Sequence, residues 1–389
     1  MDVTTPPEPF RIAIPETELV DLRSRLSRTK YPRQTPSEPW GAGVDIPYLS
    51  GLMTWWREGY DWRAAEARLN EVPQFMVEID GERIHYAHLR AERPATDGSV
   101  VPIILSHGWP YSFIEMLPLA RLLSADGFDV VVPSLPGYGF SEPMHEPFTS
   151  SAVAVRWHTL MTKALGYDRY ATYGEDVGAW INDRLGADYP DAVLGLFATH
   201  AAFPPDERRE NLTEEETAFI AWLDAKWKRA SSYGAQQSTR PDTLAVGLTD
   251  SPAGLAAWLL EKFREWSGTD DVADYWTRDE LLTTISLYWF TQTIGTSFRA
   301  YFDGREETPM PLVRVPVGVS IQYGERGFPR HYAERTYTDI RFWNDLPTGG
   351  HFAAKQTPEL VAADMRAFFS SLGLGAAPAT ESRQEPSTD

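Results

Sequence analysis

Gly174-Glu175-Asp176-Val177-Gly178 sets a carboxylate between two glycines, a spacing that can turn it into a nucleophile. Flanking residues without a Cβ let the middle position of a sharp strand-to-helix turn hold a strained backbone. At such a turn Asp176 is ionised near its ordinary pKa, faces a helix N-terminus that favours negative charge, and needs no base to activate it. A plainer reading competes, because an acidic residue in a glycine-rich turn also caps helices. Two further stretches favour chemistry. The apolar run Val100 to Leu105 leads into Ser106-His107-Gly108-Trp109-Pro110, and Gly349-Gly350-His351-Phe352 stands before the final helix. A strand with H-G-x-P, then the elbow, then a late loop histidine is an order in which the nucleophile precedes its base.

These residues meet only if strands alternate with helices. Arg169 to Tyr173 reads as a short buried strand before the elbow, and Ala179 to Leu185 as the helix after it. From Val101 onward the alternation continues through a helix at Phe113 to Leu123, a strand at Val130 to Pro133, a helix at Val153 to Leu165 and a strand at Val193 to Phe197. The pattern predicts an α/β chain with the α/β-hydrolase fold: a mostly parallel central sheet with helices on both faces. Leu135 to Ser141 then lies at the carboxyl end of a strand, where ligands gather in open sheets. Alternation stops over 200–305, which reads as an inserted helical lid. Trp222, Trp227, Trp258, Phe263, Trp266, Tyr275, Trp276, Tyr288, Trp289 and Phe290 exceed what so small an insertion can bury, so some should line a cavity over Asp176. Strand-like patterning returns at Val315 to Ile321 and Ile340 to Trp343, before a helix from Pro358 to Leu372.

Ahead of the core, Phe75, Val77 and Ile79 alternate, Asp80-Gly81 turns, and Ile84, Tyr86 and His88 return, a hairpin on which His85 and His88 are strand-face residues rather than ligands. Earlier still, Leu19, Leu22 and Leu26, then Tyr48, Leu49, Leu52, Trp55 and Trp56, then Trp62, Ala65 and Leu69 suggest three helices packed on a larger body. The division is therefore 1–72 an N-terminal meander on core and lid, 73–199 and 306–373 the two parts of the core, 200–305 the lid, and 374–389 a tail of disordered composition.

At 389 residues with 42% hydrophobic and 13% aromatic residues, 14 of them Trp, the chain can bury a large core. It has no cysteine, hence neither disulfide nor thiolate nucleophile, and no zinc-like spacing, so no metal is expected. A formal charge of −19 opposes broad binding to nucleic acid or anionic membrane. The first nine residues lack the basic start and apolar run of a signal peptide, and no long apolar run follows, so a soluble, cytoplasmic protein is expected.

With the elbow, His107 to Pro110 and Gly349 to Ala354 in hand, the chain resembles the microsomal-type epoxide hydrolases of the α/β-hydrolase superfamily over nearly its whole length. Phe10 to Pro15 is similar to that family's meander, and Arg240 to Thr243 with Asp250 to Ala257 to its lid. The family's membrane-anchoring N-terminal helix is missing, so the likeness is to soluble bacterial members, a group that includes enzymes of enediyne antibiotic biosynthesis. The resemblance implies a cofactor-independent enzyme acting on a small-molecule epoxide, bulky and aromatic to judge from the lid. It implies Asp176 as nucleophile, His351 as the base that activates water, and Glu325 as the acid behind it, with Asp345 and Glu334 as rivals for that last place. It assigns Tyr233 and Tyr301, from Ser231 to Gly234 and Ser297 to Phe302, as donors to the epoxide oxygen; composition alone does not single them out among 17 tyrosines. Backbone N–H groups of Trp109 and Val177 form the oxyanion hole, the His107 and Trp109 side chains are structural, and Pro110 follows a cis bond. A homodimer is left open. A haloalkane dehalogenase is the nearest rival, but that family places Trp directly after its nucleophile where this chain has Val177; a non-catalytic hydrolase-fold binding protein would have lost some of these groups.

Overall fold

The computed structural model describes residues 1–33, 36–93 and 100–374, without the side chains of Trp227, Arg229 and Ala230. The tail assigned to 374–389 lies outside the described residues from 375 on, as does the Trp227 side chain.

Among the described residues nine strands form one sheet: β1 (Val3–Phe10), β2 (Gln74–Ile79), β3 (Glu82–Leu89), β4 (Val101–Ser106), β5 (Phe128–Pro133), β6 (Tyr170–Gly174), β7 (Val193–Ala198), β8 (Val317–Ile321) and β9 (Ile340–Asp345). Their spatial order is β1-β2-β3-β5-β4-β6-β7-β8-β9. The first three run antiparallel to their neighbours and the rest are parallel. Strands β5 and β6 are buried along their whole length, as a sheet covered on both faces requires. The β2–β3 turn is Asp80-Gly81, both with positive φ, the geometry that fits the twist of a two-residue hairpin.

β1 was not legible as a strand, because Pro6, Pro7 and Pro9 remove its N–H groups. It sits at the sheet edge, where one side needs no partner, and its register slips twice against β2. Three helices follow it: α1 (Glu16–Leu26), α2 (Ile46–Glu58) and α3 (Trp62–Leu69). Asp45 and Asp61 cap the latter two, accepting the N–H groups of Tyr48 and Ala64.

The core helices are α4 (Phe113–Ala125), α5 (Ser150–Thr159) and α6 (Val177–Asp188). The helix expected to reach Leu165 instead leaves α-geometry at Leu160 and finishes as a π-turn over Leu160–Ala164. Between β7 and β8 come α7 (Glu214–Ala230), α8 (Ser232–Thr239), α9 (Pro241–Asp250), α10 (Pro252–Trp266), α11 (Arg278–Thr291), α12 (Ile294–Ser297) and α13 (Arg299–Phe302). After β8 lie the short α14 (Arg330–Ala333) and α15 (Ala353–Gln356), then α16 (Pro358–Ser371).

The first three helices pack against this inserted segment. The Trp56 Nε1–H donates to Ser286 Oγ at 3.0 Å, Trp55 Nε1–H to Asp279 at 2.7 Å, and the Trp62 and Phe290 rings meet at 4.9 Å. Phe263, Trp276, Tyr288 and Trp289 are buried as core, Phe263 and Trp276 against the Phe352 ring before α15. Among the described residues no helix is long and apolar enough to cross a membrane.

Candidate active site

β6 ends at Gly174, α6 begins at Val177, and Asp176 turns between them at φ 52 and ψ −125. That conformation is sterically costly for a side chain with a Cβ, and packing holds it there. A Cβ at Gly174 would overlap the Gly178 carbonyl, and one at Gly178 would overlap the Ser106 carbonyl at the end of β4. Gly108 plays the same part across the cleft, where a Cβ would strike the Asp176 carboxylate.

The carboxylate accepts the Trp109 N–H at Oδ1, 3.0 Å away, while Oδ2 lies 3.4 Å from His351 Nε2. Burial alone would raise the Asp176 pKa; the His351 ring and the Trp109 and Val177 N–H groups outweigh it and hold the carboxyl below its ordinary value. The Trp109-Pro110 bond is cis. His107 is structural: the Leu135 N–H donates to its Nε2 at 3.1 Å, its Nδ1 lies 2.9 Å from the Gly108 carbonyl oxygen, and burial drives its pKa down to about 4. His85 is likewise a buried strand residue, held between Ser134 and Gln74.

His351 follows Gly349-Gly350, and its N–H donates to the Trp266 carbonyl at 2.8 Å, tying the loop to the end of α10. The Trp266 ring lies 5.0 Å from the His351 ring and the same distance from Tyr233. Tyr233 on α8 stacks on Trp109 at 5.5 Å and meets Tyr301 of α13 edge-on at 5.8 Å. Burial raises both phenol pKa values and the Asp176 charge adds to the rise, so both phenols are protonated.

These side chains come from β6, the loop after β4, two helices of the inserted segment and the loop before α15. The family model described as "Epoxide hydrolase N terminus" matches residues 7–116, and that described as "alpha/beta hydrolase fold" matches residues 101–356. A Stigmatella aurantiaca protein provisionally named an epoxide hydrolase is 38% identical, with 94% of this chain and 85% of that protein covered. This chain belongs to the epoxide hydrolase family. Epoxide hydrolase 1 of Sus scrofa is 30% identical over 94% of this chain and 88% of its own. The crystal structure of juvenile hormone epoxide hydrolase from the silkworm Bombyx mori superposes with a TM-score of 0.86 at 28% identity, covering 95% of this chain and 96% of that one.

In this epoxide hydrolase Glu325, just past β8, is buried, and its Oε1 lies 3.4 Å from Nδ1 of His200. Burial pushes Glu325 up, but His200 first, then His351 and Lys226, bring it below its ordinary value. His200 is the residue that sequence reasoning missed. Its ring stands edge-on to His351 at 5.1 Å, and Gln322 Nε2 lies 3.2 Å from its Nδ1. Burial disfavours the His200 cation, yet Glu325 and the nearby acids raise its pKa overall. The available signal was its place two residues past β7, at the carboxyl edge where β6 and β8 also deliver their side chains. Of the rival acids, Glu334 is exposed and paired with Arg330 at 3.1 Å, whereas Asp345 ends β9. A cavity of about 600 Å³ reaches this side of the site and is lined by Lys226, Glu265, Trp266, Gln322, Glu325 and His351. Trp266 is the aromatic of the inserted segment that lines it.

Proposed function

We propose that the chain hydrolyses an epoxide to a vicinal diol through a covalent ester on Asp176, with residues 200–305 as the lid and 1–72 as a brace upon it. What carries the reading is the placement of one carboxylate between the Trp109 N–H and an imidazole, with the phenols of Tyr233 and Tyr301 packed on the Trp109 ring and on each other.

An epoxide carbon is electrophilic through ring strain, but its leaving group is an alkoxide that needs a proton as the bond breaks. Asp176 forms a C–O bond to that carbon while Tyr233 and Tyr301 share the oxygen's new charge and one phenol gives up its proton. Water then attacks the ester carbonyl, His351 takes its proton, and the Trp109 and Val177 N–H groups stabilise the oxyanion on Asp176 itself. One such donor is typically worth about 3–4 kcal/mol. Collapse of the intermediate returns the His351 proton to the departing diol oxygen and the remaining proton to the tyrosinate, so that epoxide plus water balances diol. Glu325, through the buried His200 pair and its own charge beside His351, favours the imidazolium. Trp109, Trp266 and Tyr233 around the site favour a bulky aromatic substrate over a halide leaving group, since the residue after Asp176 is Val177 rather than Trp.

The test is isotopic. A single turnover of an aryl epoxide in ¹⁸O-water, enzyme in excess, should give unlabelled diol and place the label in the peptide that contains Asp176. Full labelling of the diol in the first turnover would mean direct attack by water and would remove Asp176 as nucleophile.

A further inference from the structure

Lys262 on α10 is only 2% exposed. A buried ammonium is costly unless paired, and Glu265 at 2.7 Å and Glu261 at 3.5 Å provide that pairing. Pairing alone does not explain burial, because Glu265 and Glu261 are 38% and 34% exposed and an i,i+3 pair forms equally well at a surface. The ammonium also stands over the Tyr233 ring, 5.1 Å from its centroid, and 5.9 Å from that of Trp266. A cation over an aromatic face is attracted by the ring's electron density, and the attraction grows as that density rises.

We propose that Lys262 is a positioning residue for ring opening: its charge over the Tyr233 face stabilises the negative charge that the phenol oxygen acquires as it protonates the epoxide oxygen. The inference rests on the reading of Tyr233 as a proton donor. In the step concerned, the Asp176–carbon bond forms, the ring C–O bond breaks, and the phenol O–H proton moves to the freed oxygen, leaving a tyrosinate until the second half-reaction restores it. Asp176 and Glu265 oppose that tyrosinate, while the Tyr301 hydroxyl assists it. Lys262 is the cation over the ring, and it acts in the first half-reaction alone, since the phenol regains its proton in the second.

Single-turnover kinetics with styrene oxide separate this role from a structural one. Lys262→Met keeps the length of the side chain and removes the charge; ester formation should slow about tenfold, the scale of one desolvated cation–π contact, while ester decay stays unchanged. Lys262→Arg should recover most of the rate. In a Tyr233→Phe background, Lys262→Met should cost nothing further. Equal loss from Lys262→Met in both backgrounds, or loss in both half-reactions, would overturn the proposal while leaving the mechanism standing. Wild-type ester formation in Tyr233→Phe would overturn Tyr233's role, and this inference with it.

Discussion

On the proposed ester route His351 serves the second half-reaction and Asp176 both, so one substitution at each should part them. His351→Gln should open the ring once and stall as an ester visible by intact mass; Asp176→Asn should form none. Both should lose several orders of magnitude in turnover, as members of one unit do. An adduct on neither variant would take His351 out of its role. On the same proposal the phenols share the first half-reaction. Tyr233→Phe or Tyr301→Phe should slow ester formation about 10²–10⁴-fold, the range of acid catalysis, and the pair together should nearly abolish it, as rapid-quench measurement would show. Asp176 and His351 could be read from the sequence because glycines at fixed offsets dictate their backbones locally. Tyr233, Tyr301, His200 and Lys262 could not be read from pattern: each matters through a neighbour distant in sequence, and an isolated Tyr, His or Lys has no local signature.

Elements were legible where one period governed them. The buried strands β4 to β8 show as apolar runs, and α1 to α3 as leucine and tryptophan spacing. β1 escaped because prolines contradict strand propensity, and only its edge position, a tertiary fact, makes them harmless. The packing of lid aromatics escaped for a similar reason, since Trp56 and Trp62 supply the missing cover from the N-terminal meander. Trp56→Phe should therefore cost about 1–3 kcal/mol in denaturant unfolding by removing the indole donor to the buried Ser286 hydroxyl. An unchanged unfolding midpoint would show that the meander rests on the lid without bracing it. The elbow is stricter. Gly178→Ala would drive α6 away from the Ser106 carbonyl, so it should cost more than the ordinary overpacking penalty of about 1–3 kcal/mol and displace Asp176 as well.

At the scale of the whole molecule, buried titratable groups outside the site set how stability depends on pH. His85, His88 and His107 are buried neutral, with pKa values driven by desolvation to about 3, 4 and 4 from an ordinary 6.5. Between those values and 6.5 the unfolded chain binds more protons than the folded one, so stability rises with pH through that window. The carboxyls lifted furthest act with the opposite sign. Burial lifts Asp183, hydrogen-bonded by the Tyr337 hydroxyl at 2.8 Å, to about 8, and Glu175 to about 7. From their unfolded values upward the folded state holds the extra protons, so stability falls as pH rises, fully so above about 8. The depressed carboxyls Asp176 and Glu325 contribute stability that is lost only as pH falls below the ordinary carboxylate range, outside this contest. Opposing limbs give a maximum, expected at about pH 6–7, where the three histidines' proton difference fades as the unfolded imidazoles deprotonate and falls below that of the raised acids, which has opposed it throughout. Thermal unfolding from pH 4 to pH 9 should trace that dome. Asp183→Asn, which keeps an oxygen for the Tyr337 hydroxyl but cannot ionise, should flatten the alkaline limb by about 2–4 kcal/mol and steepen the acid limb, whose rise Asp183 also opposes. A midpoint that climbs steadily to pH 9, or an alkaline limb unmoved by Asp183→Asn, would mean that Asp183 ionises at no cost to the fold.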